Sequence, residues 1–117
     1  MDTYETYGIY AITVNKRIVY IGMTMKDFVV RFRQHRAETY GESNHTYKYN
    51  YLRKCLKNGA EVSCIPLVSF SLEKQEISRS KLAKLERQYI WDYNPILNTR
   101  GKRPKCEVTK ASKNICP

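Results

Sequence analysis

The sequence predicts an α+β domain, a small β-sheet with helices packed around it, in the order strand, strand, helix, helix, strand, helix. Three observations carry this. Two runs rich in aromatic and β-branched residues, 7–14 and 18–21, face each other across a short polar turn. Apolar residues at helical spacing dominate the stretches that follow, and a third β-type run, 61–70, separates the second helix from the last.

The first run, YGIYAITV, reads as a strand, and IVYI reads as its hairpin partner, ended by Gly22. A three-residue turn at Asn15, Lys16 and Arg17 would pair Val14 with Ile18 and Ile12 with Tyr20. Tyr10 and Tyr20 then share one face with Gly22 opposite Tyr10, whereas a two-residue turn would put the two phenols on opposite faces. Thr24, three residues before Asp27, resembles a capping box and starts a helix that runs to about residue 37. After a loop at 40–46, Tyr47, Tyr51, Leu52, Cys55 and Leu56 follow helical spacing, and Gly59 is the expected stop. Pro66 cannot donate to a ladder, so the third strand belongs at an edge or carries a bulge. Ser71 is the expected cap of a helical region that reaches residue 93, with a break at 78–80, and Asn94-Pro95 ends it. Residues 1–100 make the domain, and 101–117 form a basic tail.

Lys plus Arg number 21 against 11 Asp plus Glu, a net charge of +10 that favours a polyanionic partner. No run of about 20 apolar residues is present, which excludes a membrane-spanning helix. The polar start MDTYETYG is unlike a signal peptide, so a cytoplasmic location is expected. Cys55, Cys64, Cys106 and Cys116 form no CxxC pair, which argues against a zinc site; the first two read as core.

Five side chains have chemistry to offer. Tyr10 and Tyr20, beside a glycine, leave room for a phosphate, against the plainer reading of strand tyrosine packing. Arg31 and His35 lie one helical turn apart next to the Phe28–Phe32 stripe; a guanidinium suits a phosphate and an imidazole can relay a proton. Glu86 projects from an apolar patch made by Leu82, Ala83, Tyr89 and Ile90. A carboxylate there implies either a cation of the Mg²⁺ type or a buried ion pair. Glu73 and Glu76 are expected in the first turn of the last helix, complementing its dipole.

Taken together these residues resemble the GIY-YIG nuclease superfamily. Gly8-Ile9-Tyr10 and Tyr20-Ile21-Gly22 match its two tripeptides, Arg31 its helical arginine, His35 the histidine that follows in some members, Glu86 its metal-binding glutamate, and Asn98 its closing asparagine. The likeness spans roughly residues 6–100, and the interval from Tyr20 to Arg31 is one residue longer than in many members, which leaves Arg33 as an alternative motif arginine. The resemblance implies a three-stranded antiparallel sheet flanked by helices and a DNA endonuclease that uses Mg²⁺ or Mn²⁺. Tyr10 would be the general base, helped by Tyr20 or His35, with its phenol lowered by Arg31, Lys26 and the metal. Arg31 would stabilise the transition state, Glu86 would hold the metal, and Asn98 would buttress the backbone.

Candidate contacts to DNA, whether duplex or branched, are Gly22, Lys26, Arg33, Arg36, Lys48, Lys54, Arg100, Lys102 and Arg103. No zinc finger or helix-turn-helix accompanies them, so the expectation is loose sequence preference, recognition of DNA structure, or a homodimer reading two half-sites. A stand-alone domain of this kind is bacterial or phage in style. The alternatives are a non-catalytic nucleic-acid-binding module with the same fold, and a basic domain that docks a protein or RNA through its tail.

Overall fold

The computed structural model describes residues 5–41 and 45–99. The candidate contacts Arg100, Lys102 and Arg103, the basic tail, Cys106 and Cys116 lie outside the described residues. In chain order the elements are β1 (Thr6–Val14), β2 (Arg17–Thr24), α1 (Phe28–Tyr40), α2 (Tyr47–Lys57), β3 (Val62–Ser71) and α3 (Arg79–Tyr93). The three strands form one antiparallel sheet in the order β2-β1-β3, as the expected α+β architecture requires.

As the middle strand, β1 is covered on both faces. Tyr10 and Ile12 join Val19, Phe28, Tyr49, Leu52 and Leu97 on one side. Tyr7, Ile9 and Ala11 join Ile21, Leu82 and Ile90 on the other. A strand buried on both faces needs apolar residues throughout, which is why YGIYAITV does not alternate. Full burial of a side chain such as Leu52 or Ile21, exposed by no more than 1%, contributes about 1.5–3 kcal/mol over exposure.

The hairpin differs from expectation in a way that spares the outcome. Val14 pairs with Arg17, so the turn is the two-residue Asn15-Lys16, both at positive φ (51° and 70°). That is the type I′ geometry that matches the twist of paired strands. A β-bulge between Ile12 and Thr13 in the register leaves Val19 without an opposite residue, and Ile12 still faces Tyr20 and Tyr10 still faces Gly22. The bulge undoes the face inversion that a two-residue turn would impose.

Pro66 sits on an edge strand beside a second bulge, because Ile9 faces Val68 and Tyr10 faces Pro66. Both features spare the missing N–H. The cap of α1 is Asp27, whose carboxylate accepts from the Val29 amide, rather than Thr24. The Thr24 hydroxyl instead closes a local turn with the Lys26 backbone. The cap of the last helix lies seven residues beyond its first candidate, since Ser78 caps it and Ser71 ends β3. Glu73 and Glu76 therefore precede α3, and Glu76 accepts from the Ser71 amide at 2.8 Å instead of serving a helix dipole. In α2 the inward face carries Tyr49 and Leu52, while Tyr47 is exposed. Cys55 and Cys64 are half-buried free thiols rather than fully enclosed core.

Candidate active site

Residues from β1, β2, α1 and α2 meet over one face of the hairpin. Tyr10 is fully enclosed, and its Oη lies 2.6 Å from His35 Nε2. The Arg31 Nε–H donates to the same oxygen at 3.3 Å. His35 Nδ1 lies 2.8 Å from Tyr49 Oη. Guanidinium nitrogens only donate, so the Tyr10 oxygen accepts from Arg31 and its own proton goes to His35 Nε2. His35 then donates from Nδ1 to Tyr49, a tautomer assigned from the network that gives the Tyr10 hydroxyl proton and both ring nitrogens a partner.

Burial sets the protonation of this network. It is the largest cause that drives Tyr10 far above the ordinary phenol value; neighbouring Tyr20 adds to it, and Arg31 pulls back by less. The expectation that Arg31 would leave Tyr10 easy to ionise fails for the free chain, because desolvation outweighs one half-buried cation. Burial, then the charges of Lys48 and Arg31, bring His35 down to about 3, so the ring is neutral. Tyr49 is pushed up to about 12, again chiefly by burial.

Gly22 is needed for this packing. A Cβ there would stand 2.6 Å from Tyr10 Oη and 2.7 Å from its Cζ. The room expected beside Gly22 for a phosphate is thus filled by the Tyr10 phenol, and the glycine serves the tyrosine.

Tyr20 is half-buried, its ring 6.4 Å from that of Tyr10. Its phenol is raised by burial and then by Glu86, and lowered by Arg31, so it lies between the charges of α1 and α3. The Glu86 carboxyl is also raised, mainly by burial; Arg87 and a hydrogen bond with the Met23 backbone act against this. Among the described charged side chains Arg87, next to it in sequence, is the cation that acts on Glu86. The described residues hold no cluster of three His, Cys, Asp or Glu. A half-buried carboxylate beside an open strand edge nonetheless fits Mg²⁺, which often takes one protein carboxylate and completes its shell with water and phosphate oxygens.

Asn98 acts on the backbone. Its Oδ1 accepts from the Ile21 amide at 2.9 Å and its Nδ2 donates to the Ile21 carbonyl at 2.8 Å. This clamp fixes β2 between the two motif residues Tyr20 and Gly22.

The structure brings Tyr10, Tyr20, Arg31 and His35 together and sets Glu86 at their border. Arg31, not Arg33, reaches Tyr10; Arg33, Arg36, Lys26 and Lys54 are exposed. Two neighbours had no catalytic place in the sequence reading. Tyr49 completes the hydrogen-bonded chain, and Lys48 stands over two of the rings, 4.2 Å from the Tyr20 centroid and 4.8 Å from that of Tyr49. The stripe Tyr49–Leu52–Leu56 is as helical as the stripe through Tyr47 and Tyr51, and a core tyrosine needs a hydroxyl partner, which was the available signal. A cavity of about 310 Å³ lies behind His35, lined by Phe32, Leu52 and Cys64 among others. It includes neither Tyr20 nor Glu86.

No protein-family model matches this chain, and no curated protein matches it. A solved structure does: a glutamate-to-alanine variant of bacteriophage T4 EndoII aligns with a TM-score of 0.56 and 20% identity, over 83% of this chain and 75% of that one. With both tripeptides paired in the central hairpin and the sheet order β2-β1-β3, the chain has the GIY-YIG-like α+β fold that its motifs imply.

Proposed function

We propose that this chain is a divalent-metal-dependent DNA endonuclease that hydrolyses phosphodiesters at the Tyr10–Tyr20–Arg31–His35–Glu86 site. The observation that carries the reading is the Tyr10 oxygen held between a neutral imidazole at 2.6 Å and a guanidinium at 3.3 Å, with a half-buried carboxylate at the border. The fold shared with the phage protein supports it. A Mg²⁺ or Mn²⁺ ion at Glu86 would neutralise charge on the leaving oxygen.

The remaining steps belong to side chains. Arg31, long in its bond to Tyr10, turns onto the phosphate and stabilises the added charge of the pentavalent state. That movement opens Tyr10 Oη to water. The water proton passes to the phenol as the phenol proton passes to His35 Nε2, so no free phenolate forms. The new P–O bond forms as the bond to the leaving oxygen breaks, and the imidazolium loses its proton to solvent after release. Asn98 holds Ile21 and so keeps Tyr20 in register. Lys26, Arg33, Arg36 and Lys54 supply exposed positive charge for the DNA backbone.

A non-catalytic nucleic-acid-binding module is the second reading, favoured by the enclosure of Tyr10. Purified protein with Mg²⁺ on plasmid, nicked, duplex and branched DNA separates the two, beside Glu86→Ala. Cutting that depends on the metal and on Glu86 is the expected result. No cutting of any of these DNAs would leave the binding module standing.

A further inference from the structure

Lys48 is unusual for a lysine. It is half-buried, its Nζ sits against the faces of Tyr20 and Tyr49, and none of the described groups acting on it is a carboxylate. The charged or titratable groups around it are Arg31 and His35 from α1, Tyr20 from β2, Tyr49 from α2 and Cys64 from β3. Two ring faces attract a cation, yet Arg31 repels it, so the free site carries two cations and lacks an anion on this side. Among the described residues no other lysine stands over an aromatic ring.

We propose that Lys48 binds the same DNA phosphate as Arg31, Lys48 from over the Tyr20 ring and Arg31 from beside the Tyr10 hydroxyl. This deepens the nuclease reading by assigning the substrate's anion a second, point-charge contact from α2. Arg31 supplies a directed fork and Lys48 a compact ammonium, and phosphate recognition uses both. Burial and Arg31 bring the Lys48 ammonium down to about 8. The contact is therefore charged at neutral pH and lost as pH rises through about 8, well below the ordinary lysine value.

Binding without metal tests this independently of cutting. A short fluorescent duplex is titrated with the full chain in EDTA by anisotropy, from pH 6.5 to 9.5 and at several salt concentrations. For the native chain affinity falls through an inflection near pH 8. Lys48→Met binds more weakly at pH 7, without that inflection, and its log-affinity against log-salt slope is shallower by less than about 0.9, the value for losing a whole phosphate, because Arg31 still holds the shared one. Lys48→Arg keeps its affinity across the whole range, because a guanidinium stays charged. Circular dichroism checks that both variants fold. Should Lys48→Met be unfolded, Lys48→Arg decides alone: survival of the pH 8 inflection in it overturns the proposal. Equal affinity and equal salt slope for Lys48→Met and the native chain overturn it too. If the duplex arm succeeds while Mg²⁺ produces no cutting, Lys48 stands and the nuclease reading falls.

Discussion

His35 is buried without a counter-charge, and its neutrality has a cost that acid exposes. Burial, Lys48 and Arg31 hold its pKa near 3, against an ordinary value of 6.5. The folded-state value is the lower one, so the unfolded chain takes up the proton first. Stability linked to this ring is complete above pH 6.5 and drains away as pH falls from 6.5 toward 3. Glu86, whose value is raised, works in the opposite direction in the acid range, so the difference between variants is the useful quantity. In His35→Gln, urea midpoints should decline less between pH 6.5 and 4.5 than in the native chain; parallel curves would sink the assignment. The same neutral ring makes Tyr10 competent to pass a proton on, so His35→Gln should also stop cutting at pH 7.5. Gly22 has a narrower duty. A methyl group at 2.6 Å from Tyr10 Oη must push the phenol away from His35 or spread β2 from β1. Gly22→Ala is expected to cost about 1–3 kcal/mol by overpacking, read from chemical denaturation, and to abolish cleavage. Native-like stability would mean that the ring has space this packing denies.

Among the elements, β2 depends most on a residue far along the chain. Asn98 replaces a neighbouring strand at Ile21, satisfying the backbone N–H and C=O on the free edge. Removing the amide in Asn98→Ala leaves both groups unpaired in a buried place, at about 1–3 kcal/mol for each buried group left unsatisfied. Hydrogen exchange should show the loss first at Ile21 and its neighbours, with α2 protected as before; a uniform change over all elements would contradict a local clamp. The strands were legible from their aromatic and β-branched runs and the helices from apolar spacing, which also put Arg31 and His35 on one side of α1; that they join Tyr10 in one site was legible through the resemblance to the GIY-YIG motifs. What periodicity could not decide were choices between equals. Ser71 and Ser78 are both good caps, and only packing of 72–77 against β1 selects the later one, through Tyr7 Oη bonding the Ile77 backbone. Two tyrosine stripes compete on α2, and the one that finds His35 turns inward. The Val19 bulge leaves no mark in the residues themselves, since it answers to the sheet's register and not to a propensity.

At the scale of the whole molecule, charge opposes the fold that carries it. The chain bears +10, and two cations stand half-buried in one site, Lys48 over the Tyr20 ring and Arg31 against the Tyr10 hydroxyl. Self-repulsion of this kind destabilises a compact state and is relieved by screening, over a Debye length of about 10 Å at 0.1 M salt. DNA binding relieves it more directly and adds stability as RT ln(1 + [L]/Kd), about 2.7 kcal/mol at a hundredfold excess over Kd. That gain itself shrinks with salt, because each neutralised phosphate releases counterions whose entropy falls as the bulk concentration rises. The two effects have opposite signs. In a metal-free buffer at pH 7, raising NaCl from 50 to 300 mM should lift the melting temperature of the free chain and lower that of the DNA-saturated chain, so the two curves converge. Since about 1 kcal/mol corresponds to roughly 4–8 °C for a domain of this size, both slopes are within reach of scanning fluorimetry. Lys48→Met should raise the low-salt melting temperature of the free chain and reduce the shift that DNA produces, trading one for the other. A free chain that loses stability with added salt would show that its positive charges are already compensated internally, and the anion-seeking site argued from Arg31 and Lys48 would lose its physical basis.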